Sequence, residues 1–365
     1  MSEARAFSFR CIRCGAGAPA SVFNLFSKCC QLPFEIEYRD PAAAASPRLP
    51  LNRGHVSVSL GEGNTPVIEL KKIGALLGLG KLWAKLEYQA PTGSFKDRGS
   101  AVLVSAAVEA GVREFVEDSS GNAGASLSAY AAAAGLKAHV FVPASAARGK
   151  LDQIAVFGAT LHPVEGPRQA ATDAARRFAE AERLPYLSHN LSPYFGEGMK
   201  GFAFEIAELP GPIDQILFPV GNGSLLVGAA RGFGELTEAG KLARIPQLHA
   251  VQAEGVRPLL ALLLGGPAAE IRPTVASGIA VSNPPRASQV VAAVRRTGGT
   301  GVAVADGAIL EWRRRLAATE GIFCEATSAA ALAGLEQLVR NGHIGPSDRV
   351  LLPITGSGLK EPLGG

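Results

Sequence analysis

Short apolar runs alternate along most of this chain with alanine-rich or amphipathic stretches, and that alternation restricts its fold more than any other feature. Residues 82–86, 114–117, 139–142, 216–220, 248–252 and 350–354 have the length and the turn-forming bounds of strands. Between them, 100–110 closes on Gly111, 123–134 on Gly135, 150–157 on Gly158 and 328–341 on Gly342, and 225–236 reads as a further helix. A glycine just past the last periodic residue is the C-terminal signal of a helix, because glycine enters the left-handed conformation without steric cost. Strand and helix in turn build βαβ units, so the expectation is an α/β fold of parallel sheets with helices on both faces. At 365 residues the chain exceeds one ordinary domain and is expected to form two lobes sharing a cleft.

Composition removes several function classes. Hydrophobic residues make up 47% and charged residues 19%, a globular balance. The net charge of +4 is small for this length, and no Lys/Arg run is interleaved with aromatics, so no nucleic-acid partner is expected. Arg313, Arg314 and Arg315 read as a solvated helix face. The longest apolar run, near residues 259–264, is too short to span a bilayer, and no membrane role is expected. The chain opens without the basic-then-apolar layout of a secretion signal, which points to the cytoplasm. Five cysteines, an odd count, argue against a disulfide framework.

In open α/β sheets ligands sit beyond the carboxyl ends of the strands. Four loops there are rich in glycine and polar residues: 92–99, 119–124, 221–224 and 355–360. In the first, Lys96 follows a strand and opens a helix, where its amine can shed a proton and attack an aldehyde; the plainer reading is a surface pair with Asp97. In the second, the free N–H groups at a helix start, near Ala123, together with the hydroxyls of Ser119 and Ser120 suit a carboxylate. Asn122 adds a donor and an acceptor, and simple helix capping is the rival reading. In the third, Gly221, Asn222, Gly223, Ser224 and Leu225 let backbone N–H groups surround a phosphate at a helix dipole. The spacing is not GxGxxG, and no GxxxxGK[ST] loop exists. In the fourth, the hydroxyl of Thr355 suits a ring nitrogen or a phosphate.

A Schiff-base lysine, an anion loop, a carboxylate loop and a hydroxyl for a ring nitrogen are what pyridoxal 5'-phosphate and an amino acid demand. In order and wording the motifs SLGEGNTP, GSFKDRG, SSGNAGAS, EGMKGFAFEIAE, PVGNGSLL, EATSAAALAGL and TGSGLK closely resemble the fold-type-II pyridoxal-phosphate enzymes, the threonine-synthase group in particular. The resemblance covers nearly the whole chain. It implies that Lys96 carries the cofactor as a Schiff base, that Asn122 meets its ring hydroxyl oxygen, that Gly221–Leu225 hold its phosphate and that Thr355 meets its pyridine nitrogen. It also implies a large cofactor domain over 51–100 and 200–365, a small α/β domain over 101–199, and a homodimer. A neutral hydroxyl at the ring nitrogen draws fewer electrons than a carboxylate partner, which suits elimination or replacement better than transamination.

Many members of this group begin with a zinc-ribbon-like segment, expected here over residues 1–45 and followed by a linker at 41–50. Cys11 and Cys14 form a good first half, whereas Cys29 and Cys30 are adjacent and depart from the usual knuckle. The expectation is a degenerate ribbon packed around Phe23, Phe26 and Phe34, with strained tetrahedral zinc as the alternative. Lys150, in a stretch resembling the group's GKL segment, is the candidate for a second phosphate on the substrate; a solvated lysine is the other reading. Residues 188–193 and Ser357 depart from the group's pattern and leave the substrate open. The readings are a threonine synthase acting on O-phosphohomoserine, a serine/threonine ammonia-lyase or β-replacing synthase, and a non-catalytic cofactor or amino-acid binding protein.

Overall fold

Residues 6–39, 47–52, 54–146, 148–267 and 270–361 are described by the structure, a computed structural model. The start of the expected linker, 41–46, lies outside the described residues. Two units divide the chain, at Glu62, Phe95 and Gly201: Met1–Glu62 with Lys96–Gly201, and Gly63–Phe95 with Phe202–Gly365.

The second unit is built on a six-stranded sheet in the order Gly301–Val304, Gln247–Ala253, Gln215–Pro219, Arg349–Pro353, Lys81–Lys85, Val67–Glu69. Its neighbours are parallel except Val67–Glu69, which runs antiparallel at the edge. Successive residues such as Ile216, Leu217 and Phe218, or Val350, Leu351 and Leu352, are all buried, so both faces are covered. Helix Ala326–Arg340 covers one of them closely, because its small residues let it approach: a Cβ on Gly334 would lie 2.7 Å from Val251 Cγ2. Trp312, 1% exposed, donates its Nε1–H to Glu336 at 2.8 Å.

The first unit holds a parallel sheet of Glu114–Glu117, Lys137–Pro143 and Thr160–Val164. Helix Asn122–Ala134 connects its first two strands and ends on Gly135 at φ 65°, whose N–H reaches the carbonyls of Ala131 and Ala132. Helix Arg168–Ala181 buries only Ala171, Ala175 and Ala179, spaced by four on one face. Ahead of these lies a small antiparallel sheet of Gly17–Ala18, Phe7–Cys11 and Phe34–Tyr38.

Two expectations are corrected. Phe23 is 56% exposed, so the N-terminal segment does not pack around it; Phe9, fully buried, packs against Phe34 with ring centroids 5.2 Å apart and meets Tyr194 at 5.6 Å instead. Of the three consecutive arginines, Arg314 is solvated, but Arg313 is only 13% exposed and donates Nε–H to the carbonyl of Cys324 at 2.9 Å. Its position on the turn nearest residue 324, one step off the solvated stripe, is what the local pattern did not disclose.

Candidate active site

Lys96 is the first residue of helix Lys96–Glu109 and is half-buried. The residues before it are clamped in place. Ser94 bridges to Gly356, and the N–H of Phe95 donates to the carbonyl of Thr355 at 3.1 Å. Gly93 turns at φ 77°, and a Cβ there would lie 2.8 Å from Lys360 Cε. Immediately after it, Asp97 is fully buried and accepts the Ser126 hydroxyl at 2.6 Å. The Lys96 ammonium lies 5.7 Å from the centroid of the Phe195 ring.

Helix Asn122–Ala134 begins at Gly121 with no side chain capping it. The Ser119 hydroxyl accepts the N–H of Gly121 at 3.3 Å, and a Cβ on Gly124 would fall 1.9 Å from the Ser119 carbonyl oxygen. The turn is therefore tight, and the helix start near Ala123 keeps its N–H groups for an anion rather than for a cap. Ser119 and Ala123 are buried, Ser120 and Asn122 half-buried.

Helix Ser224–Glu238 likewise starts uncapped, from Gly223 at φ 80°. A Cβ on Gly223 would lie 2.2 Å from Val290 Cγ2, and one on Gly221 3.0 Å from the Cα of Ile279. Gly223 admits only glycine, and Gly221 leaves little room for a side chain. The buried side-chain oxygen of Asn222 has no hydrogen-bond partner, so this turn holds polar capacity that the described residues leave unused. Leu225 is buried in the same first turn. A 15-residue helix with no side-chain cap and glycines in front of it fits a phosphate.

Thr355 follows strand Arg349–Pro353 and is 2% exposed. Lys150 stands in the first turn of helix Arg148–Val156, half-buried.

Several residues near these positions were not singled out from sequence. The hydroxyl of Ser94 is buried without a partner, two residues before Lys96. Ser328 lies 2.9 Å from the Thr355 hydroxyl. Glu117 and His189 form a buried pair at 2.7 Å. Ser94 and Ser328 sit inside motifs already noted, and His189 lies in the departing stretch 188–193; Phe195 becomes visible only once the chain folds back.

A model of the pyridoxal-phosphate dependent enzyme family matches residues 58–356. The chain belongs to that family. That membership gives it pyridoxal phosphate as its cofactor. Among relatives, the threonine synthase of Methanocaldococcus jannaschii is 37% identical over 325 residues, 86% of this chain and 79% of that protein. The threonine synthase of Bacillus sp. strain ULM1 is 39% identical over 316 residues, covering 86% of this chain and 88% of its own. In solved structures the fold recurs in the processed form of threonine deaminase isoform 2 from Solanum lycopersicum, with TM-score 0.71, 20% identity, and 80% and 79% of the two chains covered. Maize serine racemase matches at TM-score 0.71 and 22% identity, over 82% and 89%. This member of the family thus has the α/β architecture that its strand and helix alternation predicts.

Proposed function

We propose that this pyridoxal-phosphate enzyme is a lyase of the threonine-synthase type, converting O-phosphohomoserine and water to threonine and phosphate. The observation that carries the reading is identity of 37% and 39% to threonine synthases across 86% of the chain. The bound cofactor supplies an electron sink that makes the substrate's Cα–H acidic. Lys96 carries the cofactor, and its freed amine takes the α-proton and returns protons in later steps. Backbone N–H groups of Gly221, Asn222, Gly223, Ser224 and Leu225 hold the cofactor phosphate, Asn122 orients its ring hydroxyl oxygen, and Thr355 meets its ring nitrogen. Ser119, Ser120 and the helix start at Ala123 hold the substrate carboxylate, and Lys150 attracts the substrate phosphate.

Purified protein incubated with O-phosphohomoserine is expected to release phosphate and threonine, and K96A to be colourless and inactive. No phosphate release by yellow, loaded protein removes this reading. The second reading is a serine/threonine ammonia-lyase or β-replacing synthase, left open by the departing segment. In the departing segment, Ser188 donates to Asn190 at 2.6 Å and His189 points to Glu117, so both side chains are engaged within the protein. Ammonia and a keto acid from threonine or serine would support it.

The N-terminal segment is read as zinc-ribbon-like. The sulfurs of Cys11, Cys14, Cys29 and Cys30 all lie within 4.8 Å of one another. The tight turn that brings the adjacent pair inward is closed by Gln31, at φ 53°, bonding back to Ser27 at 2.9 Å. Tetrahedral zinc thiolates have sulfur–sulfur edges of about 3.8 Å, so the four residues fit the ion. A homodimer is the accompanying reading, resting on the family resemblance; sedimentation of the loaded enzyme tests it.

A further inference from the structure

We infer that Arg168 is a specificity-determining residue, whose guanidinium grips the phosphate carried on the substrate's side chain. The inference rests on the reading that the substrate is O-phosphohomoserine, and it adds a residue that the sequence motifs did not mark.

The parallel strands Glu114–Glu117, Lys137–Pro143 and Thr160–Val164 end on one side of their sheet, and a helix starts after each, at Asn122, Arg148 and Arg168. Ligands of such sheets lie beyond those ends. Arg168 follows the third strand but reaches the end of the first. Its Nη1–H donates to the backbone carbonyl of Asp118 at 2.7 Å, and its Nη2–H to the Asp118 carboxylate at 3.3 Å. Thr172, one turn further along the same helix face, donates its hydroxyl to the same carboxylate oxygen at 2.5 Å. Asp118 immediately precedes Ser119, so the guanidinium is moored one residue from the loop read as the carboxylate site.

The mooring takes one N–H from each terminal nitrogen and leaves the Nε–H bonded to nothing among the described residues. The Arg168 side chain is 47% exposed, against 4% for Asp118, so its inner edge is fixed on the strand end while its outer edge stays open. A guanidinium held from behind by a carboxylate keeps that edge as a two-pronged donor, which matches two oxygens of a phosphate. The positive end of its 14-residue helix, which no side chain caps, lies at the same place.

Lys150 stands on the other flank of the loop. It is one turn before Ile154 on the same helix face, and Ile154 Cδ1 lies 3.1 Å from where a Cβ on Gly124 would sit, beside the Ser119 carbonyl oxygen. Two cations thus bracket the loop. The carboxylate of a plain amino acid, served by the loop itself, needs neither; a substrate with a second, doubly charged group engages both.

The test compares, on holoenzyme, O-phosphohomoserine with threonine, which shares the carboxylate and lacks the phosphate. Turnover is read as phosphate release, and threonine affinity from the change threonine makes in the cofactor's absorbance. R168K keeps a charge beside Asp118 but loses the fork. Its KM for O-phosphohomoserine should rise roughly three- to tenfold, the size of one hydrogen bond, with threonine affinity within about twofold of the parent. R168Q should raise that KM roughly ten- to hundredfold, the size of a charged hydrogen bond, and inhibition by inorganic phosphate should weaken in step. R168Q also strips buried Asp118 of its counter-charge, so R168K carries the test where R168Q folds poorly. Equal weakening of both ligands would mean that Arg168 only supports the loop, and the inference would be wrong; it would be wrong also if neither ligand weakened. With a parent that turns over O-phosphohomoserine, those results sink the inference alone. A parent that releases no phosphate sinks the reading of the substrate, and the inference with it.

Discussion

Gly99 lies against the ring of Phe195 so closely that a Cβ there would fall 2.7 Å from three of its atoms. The same two helices meet again at Gly198, where a Cβ would lie 2.0 Å from the carbonyl oxygen of Arg98. Two glycines thus let helix Pro193–Gly198 rest on the first turn of Lys96–Glu109, and the ring that results lies 5.7 Å from the Lys96 ammonium. G99A is expected to push the ring aside, costing about 1–3 kcal/mol in urea unfolding and slowing cofactor uptake. The double variant G99A/F195L, with a smaller side chain opposite, should recover most of the loss. A G99A protein as stable as the parent would show that the contact is slack.

Glu117 and His189 predict a different contrast. Burial raises the Glu117 carboxyl, with Asp118 adding to it, and burial also holds His189 well below its usual value, with Lys96 adding to that. Burial drives both partners toward their neutral forms, and in that state the 2.7 Å contact lets a protonated carboxyl donate to the ring. Glutamine reproduces that donor. E117Q is therefore expected to change stability by less than about 1 kcal/mol, whereas E117A, leaving a cavity and an unpaired ring nitrogen, should cost about 2–4 kcal/mol. Equal losses in the two variants would mean that the pair is ionised.

The fold was readable where the apolar signal is strong and unreadable where it is thin. All six strands expected from sequence lie within one or two residues of observed ones, because their side chains are buried on both faces. Strand Thr160–Val164 was missed: it carries a proline and a histidine, and none of its residues is fully buried. Helix Arg168–Ala181 was missed because alanine alone marks its buried face. The four loops at strand ends announced themselves through glycines and hydroxyls. Phe195 and Ser328 did not, since each has its place through a partner dozens of residues away, and nothing local distinguishes such a phenylalanine or serine from one that simply fills a core.

The four N-terminal cysteines invite a direct measurement. Cys14 and Cys29 sulfurs are 3.1 Å apart, and all four fall within the span of one tetrahedral site. Metal analysis should find about one zinc per chain, and a strong chelator should lower the melting temperature. The effect should extend beyond the segment, because Tyr38 on its third strand bonds the buried Glu197 carboxylate at 2.6 Å, in the helix that carries Phe195. Metal-free protein that melts at the same temperature with and without added zinc would return the segment to an apolar, unloaded ribbon.

His249 supplies the pH dependence. Its Nδ1 accepts the N–H of Thr300 at 3.1 Å, and its Nε2–H donates to the Gln215 side chain at 2.8 Å, so the neutral ring satisfies both neighbours. Protonation would set a second N–H against that of Thr300. Burial, with a smaller contribution from His343, pushes its pKa from 6.5 down to about 4. A lowered histidine means that the unfolded chain takes the proton first. The stability it contributes is fully present above about pH 6.5 and drains away as pH falls toward 4. The loss reaches about 2.5 kcal/mol by pH 4.5. H249Q has no such proton to take up, so it should be less stable than the parent at pH 7.5, with the gap closing by roughly that amount at pH 4.5. Urea unfolding of both proteins across this range measures the gap, and a constant difference would show that His249 is charged in the folded protein or solvated after all.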